Sequence, residues 1–167
     1  MPTWTAMRDL ATDDLVTEAD MDAIRGNIEY LLDPNRQRIL RDNGSYYTTT
    51  STTFVDVDAA NLAATITTHG VPVLVLVSGS AWNANAGNAV YLDLAVDGVR
   101  VGASFAGLLL VTSIAAGEEH NASFALLVTG LAAGSHTFKL QWKVNGGTGN
   151  LRATAASIPL GLTVIEL

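Results

Sequence analysis

The stretch Gly134-Ser-His-Thr-Phe-Lys-Leu-Gln-Trp-Lys-Val144 alternates strictly: His136, Phe138, Leu140, Trp142 and Val144 share one side of an extended chain, and Thr137, Lys139, Gln141 and Lys143 the other. Period two predicts a strand with one dry and one wet face. The same pattern predicts ten strands: Tyr46–Val57, Leu62–Thr68, Val71–Ser78, Ala89–Val96, Val99–Ala103, Leu108–Ile114, Ser123–Thr129, His136–Val144, Leu151–Ala155 and Leu162–Glu166. Glycine-bearing breaks such as His69-Gly70, Ala116-Gly117 and Asn145-Gly146-Gly147 separate them. Asp97-Gly98, between LDLAV and VRV, is the strongest hairpin signal, because a two-residue type I′ turn has positive φ at both central residues. Short strands in close succession without intervening helices predict an all-β fold, a ten-stranded antiparallel jelly-roll sandwich over residues 44–167.

Two segments, VPVLVLV and GLLLV, are apolar on both sides of the strand. One face of an antiparallel sheet ordinarily meets water. The expectation is that the outer face of this sandwich packs on neighbouring subunits.

Residues 1–43 follow another period. Thr17-Glu18-Ala19-Asp20 has the form of a capping box, and Met21, Ile24, Ile28 and Leu31 then recur at spacings of three, four and three. Asp33-Pro34 ends the predicted helix. At roughly 16 residues, with Gly26 inside, it is marginal alone and needs a partner, either its own β region or copies of itself in a short bundle.

Charge marks the same boundary: residues 1–43 carry nine acids and five bases, whereas the 124 residues that follow carry seven and four. The net charge of −7 and the lack of a Lys/Arg cluster argue against nucleic-acid binding. The absence of cysteine excludes disulfides and thiolate metal sites. No basic segment followed by an apolar one opens the chain, so no secretion signal is expected, and polar interruptions between Ala59 and Leu92 argue against membrane insertion. A mean hydropathy of +0.28 is high for a monomer that faces water on all sides, which again points to self-association.

Candidate chemistry is sparse. Ser78-Gly79-Ser80 lacks the frame of a nucleophile elbow, and Gly146-Gly147-Thr148-Gly149 lacks the Lys and helix of a phosphate loop. Glu118-Glu119-His120 offers metal-ligating side chains, but adjacent loop residues diverge, so no metal and no other cofactor is expected. Asp93 and Asp97 are carboxylates close in sequence, with Asp97 accounted for by its turn. No catalytic set emerges, and an enzyme is not expected. The best recognition candidate is Trp82 with Asn83, Asn85 and Asn88, an aromatic ring among amides, the combination that stacks on a sugar and hydrogen-bonds its hydroxyls. Trp142 belongs by alternation to a core or subunit interface. His136, on the same face, reads as a hydrogen-bonded histidine. Met21, Ile24, Ile28, Leu31, Tyr46, Tyr47 and Trp142 are the expected oligomer contacts.

The segment WTAMRDLATDDLVTEADMDAIRGNIEYLL, with Trp4, Val16-Thr17, Arg25, Asn27 and Leu31-Leu32, resembles a leader found in structural proteins of tailed bacteriophages and prophages. FVDV, VDGVRVG, LVTGLAAGSHTFKLQWKV and the final VIEL are similar to C-terminal domains of phage tail or fibre proteins and resemble the tumour-necrosis-factor/C1q type of trimeric jelly roll. The resemblance implies a virion-associated, non-enzymatic homotrimer made in the bacterial cytoplasm. Its leader would join other virion proteins and its jelly rolls would form a head, which could contact a host-surface glycan. A carbohydrate-binding module built on the Trp82 loop is the alternative.

Overall fold

The computed structural model describes residues 15–32, 35–154 and 159–167, with backbone only for residues 29–32 and 43. The chain divides between Asn35 and Arg36 into two compact units. The helical unit contains α1, Glu18–Leu32. Its capping box forms as expected: the Thr17 amide and hydroxyl each donate to Asp20 Oδ2 at 2.7 Å, and the Asp20 amide returns to Thr17 Oγ1 at 3.3 Å. Met21 and Ile28 stand half exposed and Ile24 is partly covered, while the Leu31 side chain, Asp33-Pro34 and Trp4 lie outside the described residues. No described helix is long and apolar enough to cross a membrane.

The second unit is the sandwich. Its fourteen strand segments are β1 Arg36–Arg41, β2 Asn43–Thr49, β3 Val55–Asp56, β4 Ala63–His69, β5 Val73–Ser78, β6 Ser80–Asn83, β7 Ala89–Val96, β8 Val99–Arg100, β9 Leu109–Thr112, β10 His120–Asn121, β11 Phe124–Val128, β12 Ala133–Val144, β13 Gly149–Thr154 and β14 Leu160–Glu166. All their pairings are antiparallel. One layer holds two sheets in continuation. The order β1-β14-β5-β11 in one is matched by β2-β13-β6-β10 in the other, so β1 and β2, β5 and β6, and β10 and β11 are each one long strand broken once, and β13 and β14 take matching places in the two sheets. The break between β5 and β6 is Gly79, where a Cβ would lie 2.8 Å from Leu160 Cδ1. In the other layer β12 pairs with β7 on one side and with β3 and β4 on the other, and β8 and β9 line the far side of β7. Ten expected strands thus become fourteen segments on eight extended paths, the antiparallel jelly-roll sandwich.

Residues 36–41 and 43, grouped by charge with the leader, are strand. Arg36, Arg38 and Leu40 face outward from β1 while Ile39 packs against the core, an alternation that the three arginines hide from a hydropathy reading. Between the layers lie Leu92, Leu94, Phe138, Leu140, Trp142, Leu151, Leu160 and Leu162, each at most 2% exposed. Trp142 therefore belongs to the chain's own core and has no surface for a partner, which corrects its expected place in an oligomer contact. Glu166 ties the layers at one end: its carboxylate accepts the His69 amide at 2.5 Å and lies 2.8 Å from His69 Nδ1.

Strand β7 is buried along its whole length on both faces. The outward residues Tyr91 and Asp93 are covered by their own chain: Phe105 packs edge to face on Tyr91 with centroids 5.7 Å apart, and Gly102 and Gly107 of the loop 101–107 lie against Asp93, with Phe54 beside Gly107. Asp93 is fully buried and completely engaged: Arg100 Nε donates to it at 2.6 Å, and the amides of Leu94 and Gly102 at 2.8 and 2.9 Å. Lys143 places its ammonium 4.5 Å from the Phe105 ring centroid and 5.0 Å from those of Phe54 and Tyr91, an aromatic enclosure that favours the cation. Burial on both sides of β7 thus has an intramolecular cause.

Candidate functional site

The outer face of the broken-strand layer carries exposed side chains, among them Leu40, Leu76, Leu127 and Tyr46, and its two halves differ. Across β1-β14-β5-β11 the register aligns Arg38, Thr163, Leu76 and Ala125 in one row and Arg36, Ile165, Leu74 and Leu127 in the next. Leu40 (43% exposed), Leu76 (37%) and Leu127 (51%) make this half apolar, with the two arginines along its β1 edge. This is where VPVLVLV shows its second apolar side.

The other half, across β2-β13-β6-β10, is polar and aromatic. Asn150 pairs with Trp82 and Thr48, and Arg152 with Tyr46, so these side chains share the outer face. Trp82 and Tyr46 meet edge to face, their centroids 5.4 Å apart, and Tyr46 is 51% exposed. The Arg152 guanidinium lies 5.2 Å from the Trp82 ring centroid and binds Glu119 through Nε at 2.6 Å and Nη2 at 2.5 Å. Ser80 donates its hydroxyl to the same carboxylate. Arg152 in particular holds the Glu119 carboxyl below the usual carboxylate range.

Beside this array opens a cavity of about 380 Å³, walled by Ser78, Ser80, Glu119, His120, Asn121 and Ser123. Hydroxyls, an amide, an imidazole and a charge-balanced carboxylate converge there. Ser123 Oγ accepts the Gly79 amide at 3.3 Å, and among the described residues the Ser78 hydroxyl and the Asn121 amide have no protein hydrogen-bond partner. His120 Nε2 is buried without a hydrogen bond, 3.6 Å from Glu118 Oε2.

The structure rearranges the expected Trp82 site. Trp82 is on strand β6, and alternation sends Asn83 to the opposite side from the ring. Asn83 is fully buried; its Nδ2 donates to Gly146 O at 2.9 Å and its Oδ1 accepts the Asn85 amide at 3.0 Å. A Cβ at Gly147 would lie 2.5 Å from Asn85 Oδ1, and one at Gly146 3.5 Å from Asn88 Oδ1. These three asparagines clamp the β12–β13 hairpin instead of flanking the indole. Arg152, the partner of the indole, and Glu119, which holds Arg152, were missed because they lie 70 and 37 residues further along the chain, on β13 and in the loop before β10; Ser80, two positions before Trp82, joins them only through Glu119. Their signal was only the outward phase of each strand.

Tyr46 and Tyr47 part company for the same reason. Tyr47 faces inward, donating to Asp58 Oδ2 at 2.9 Å and accepting from Arg41 Nε at 3.0 Å, and packs half-buried against the chain's own core, on the opposite side from Tyr46. Glu118-Glu119-His120 do not act as one cluster, since Glu119 turns to Arg152 and Glu118 accepts the Ala115 amide at 3.1 Å. His136 is hydrogen-bonded as expected, Nδ1 to Asp97 at 2.7 Å and Nε2 to Ala132 O at 2.9 Å.

No protein-family model matches the chain, and no curated protein matches it. Solved structures do. A structure of infectious bursal disease virus, Gt strain, aligns with TM-score 0.45 and 11% identity over 80% of this chain and 37% of the viral one. Eiger TNF from S. frugiperda aligns with TM-score 0.42 and 13% identity over 81% of this chain and 94% of its own. Dimeric latent PorU from Porphyromonas gingivalis aligns with TM-score 0.38 and 16% identity over 81% and 13%. The chain thus spans little more than a third of the viral chain it matches.

Proposed function

We propose that this chain is a non-enzymatic structural and attachment protein of a virion, a phage tail, fibre or decoration component, acting as a homotrimer. The observation that carries this reading is the apolar half-face on which Leu40, Leu76 and Leu127 are exposed beside the half-buried Leu74 and Ile165. Leucines directly paired across antiparallel strands form a continuous apolar surface, and water contact with such a surface is relieved by a second copy. The helix seam of Met21, Ile24, Ile28 and Leu31 offers a further place for three chains to align. The leader's resemblance to phage structural proteins supports the virion assignment and a role in joining other virion proteins.

Sedimentation equilibrium at micromolar concentration tests the assembly. Three times the chain mass of 17.5 kDa is expected; a species of 17.5 kDa overturns the reading. Immunogold labelling of particles from a lysate that expresses the protein tests the location. Label on the tail or capsid is expected, and label confined to the soluble fraction overturns it.

A further inference from the structure

We propose that the cavity between β6 and β10, together with the Trp82–Tyr46 edge, binds a short neutral oligosaccharide. This names a ligand for the attachment part of the reading above and rests on that part alone.

The cavity is of monosaccharide scale: about 380 Å³ lies near the lower end of the roughly 300 to 1,000 Å³ usual for small-molecule sites. Its walls supply what a polyol needs. Ser78 and Ser123 hydroxyls can both donate and accept, the Asn121 amide offers two donors and an acceptor, and the imidazole of His120 adds a ring nitrogen. Glu119 is held in place by Arg152 and Ser80. Oε1 already accepts from Arg152 Nε and from Ser80, whereas Oε2 accepts from Arg152 Nη2 and keeps a lone pair for a ligand hydroxyl. A carboxylate fixed in this way does not lose side-chain freedom again on binding, which favours affinity.

Charge selects the class. The Glu119 carboxylate is balanced by the guanidinium that grips it, and the remaining charge beside the cavity, the Glu118 carboxylate 3.6 Å from His120 Nε2, is negative, so an uncharged ligand is favoured over an anion. A sugar acid would set its own carboxylate against Glu119 while Arg152 is occupied. Length follows from the layout. Glu119 lines the cavity, Arg152 joins it to Trp82, and Trp82 leads to the half-exposed Tyr46, so one pyranose fits the cavity and the next lies along the aromatic edge. The apolar face of a pyranose suits an aromatic ring, whose hydroxyl or indole N–H serves the rim.

The test is saturation-transfer difference NMR on the full chain with four probes: lactose, maltotriose, N,N′-diacetylchitobiose and, as the charged control, sialyllactose. Transfer to at least one neutral probe at millimolar concentration is expected, with none to sialyllactose beyond its lactose portion. Tyr46→Ala and Glu119→Gln should each weaken binding of the responding probe about tenfold or more, with circular dichroism and melting temperature showing that each variant is folded. Tyr46 is exposed, so its truncation leaves the core intact. No transfer from any neutral probe, or binding unchanged in both variants, overturns the proposal, as does selective binding of the sialic acid portion. Sedimentation reports assembly separately: a trimer that binds none of the sugars loses this ligand and keeps the structural role.

Discussion

At the scale of single residues, two side chains on one strand face meet opposite fates. His136 and Trp142 share the dry side of β12, yet Trp142 lies in the middle of the core and His136 at the strand entrance, 2.7 Å from Asp97. Truncating Trp142 to Ala removes the largest fully buried side chain, and urea unfolding should show a loss of ~3–5 kcal/mol. The histidine makes a pH-dependent contribution. Asp97 holds its pKa below the ordinary 3.8, chiefly through the Thr137 amide and then through His136. The Asp97 hydrogen bond, helped by the Ala132 carbonyl, raises His136 above its ordinary 6.5. Stability from the acid is full above 3.8 and is lost as pH falls through its depressed value. Stability from the base is full below 6.5 and is lost as pH rises through its elevated value. The destabilisation caused by His136→Gln should therefore be larger at about pH 5.5 than at about pH 9 in urea unfolding, and an equal gap at both would contradict the pairing.

Among the elements, β7 shows how burial on two sides arises within one chain. The loop 101–107 passes close enough over Asp93 and Leu92 that glycine is required. At Gly107, where φ is +67°, a Cβ would lie 2.5 Å from Leu92 O. Gly107→Ala should cost about 1–3 kcal/mol in urea unfolding and increase proteolysis within the loop. If the variant is as stable as the parent, the loop is not seated on the sheet. The Asp97-Gly98 hairpin was legible in the sequence because it is local, and φ of +50° and +81° at these residues realises the expected turn. Strands β1 and β6 were not. Three arginines mask the alternation of β1, and a polar run of asparagines after Trp82 makes β6 look like the start of a loop. Both become strands through pairing with distant partners, β14 and β13.

Over the whole molecule, the broken-strand layer carries an apolar half and a polar, aromatic half on a single outer surface. Under the proposed assembly through the first, the second would stay available to the proposed ligand. A Leu76→Glu, Leu127→Glu double variant places carboxylates on the apolar half without touching the core. In sedimentation it should shift the protein toward the 17.5 kDa chain while sugar binding persists. An unchanged mass would move the contact elsewhere.

What the sequence determined by itself was what local periodicity sets: the all-β class, the capped helix, the Asp97-Gly98 turn, and the two faces of strands whose alternation is clean, such as β12. Which sides are covered was decided only by the tertiary structure. GLLLV, apolar on both sides in sequence, leaves Leu110 half exposed, whereas β7, with Asp93 in its middle, is buried throughout because Phe54 and the 101–107 loop close over it. Likewise the Trp82 ring finds Tyr46 and Arg152, from strands 36 residues before and 70 after it, and not its neighbouring asparagines. The physical reason is common to both: a strand's period fixes its two faces from neighbouring residues, whereas what presses on each face is supplied by pairings that span the chain.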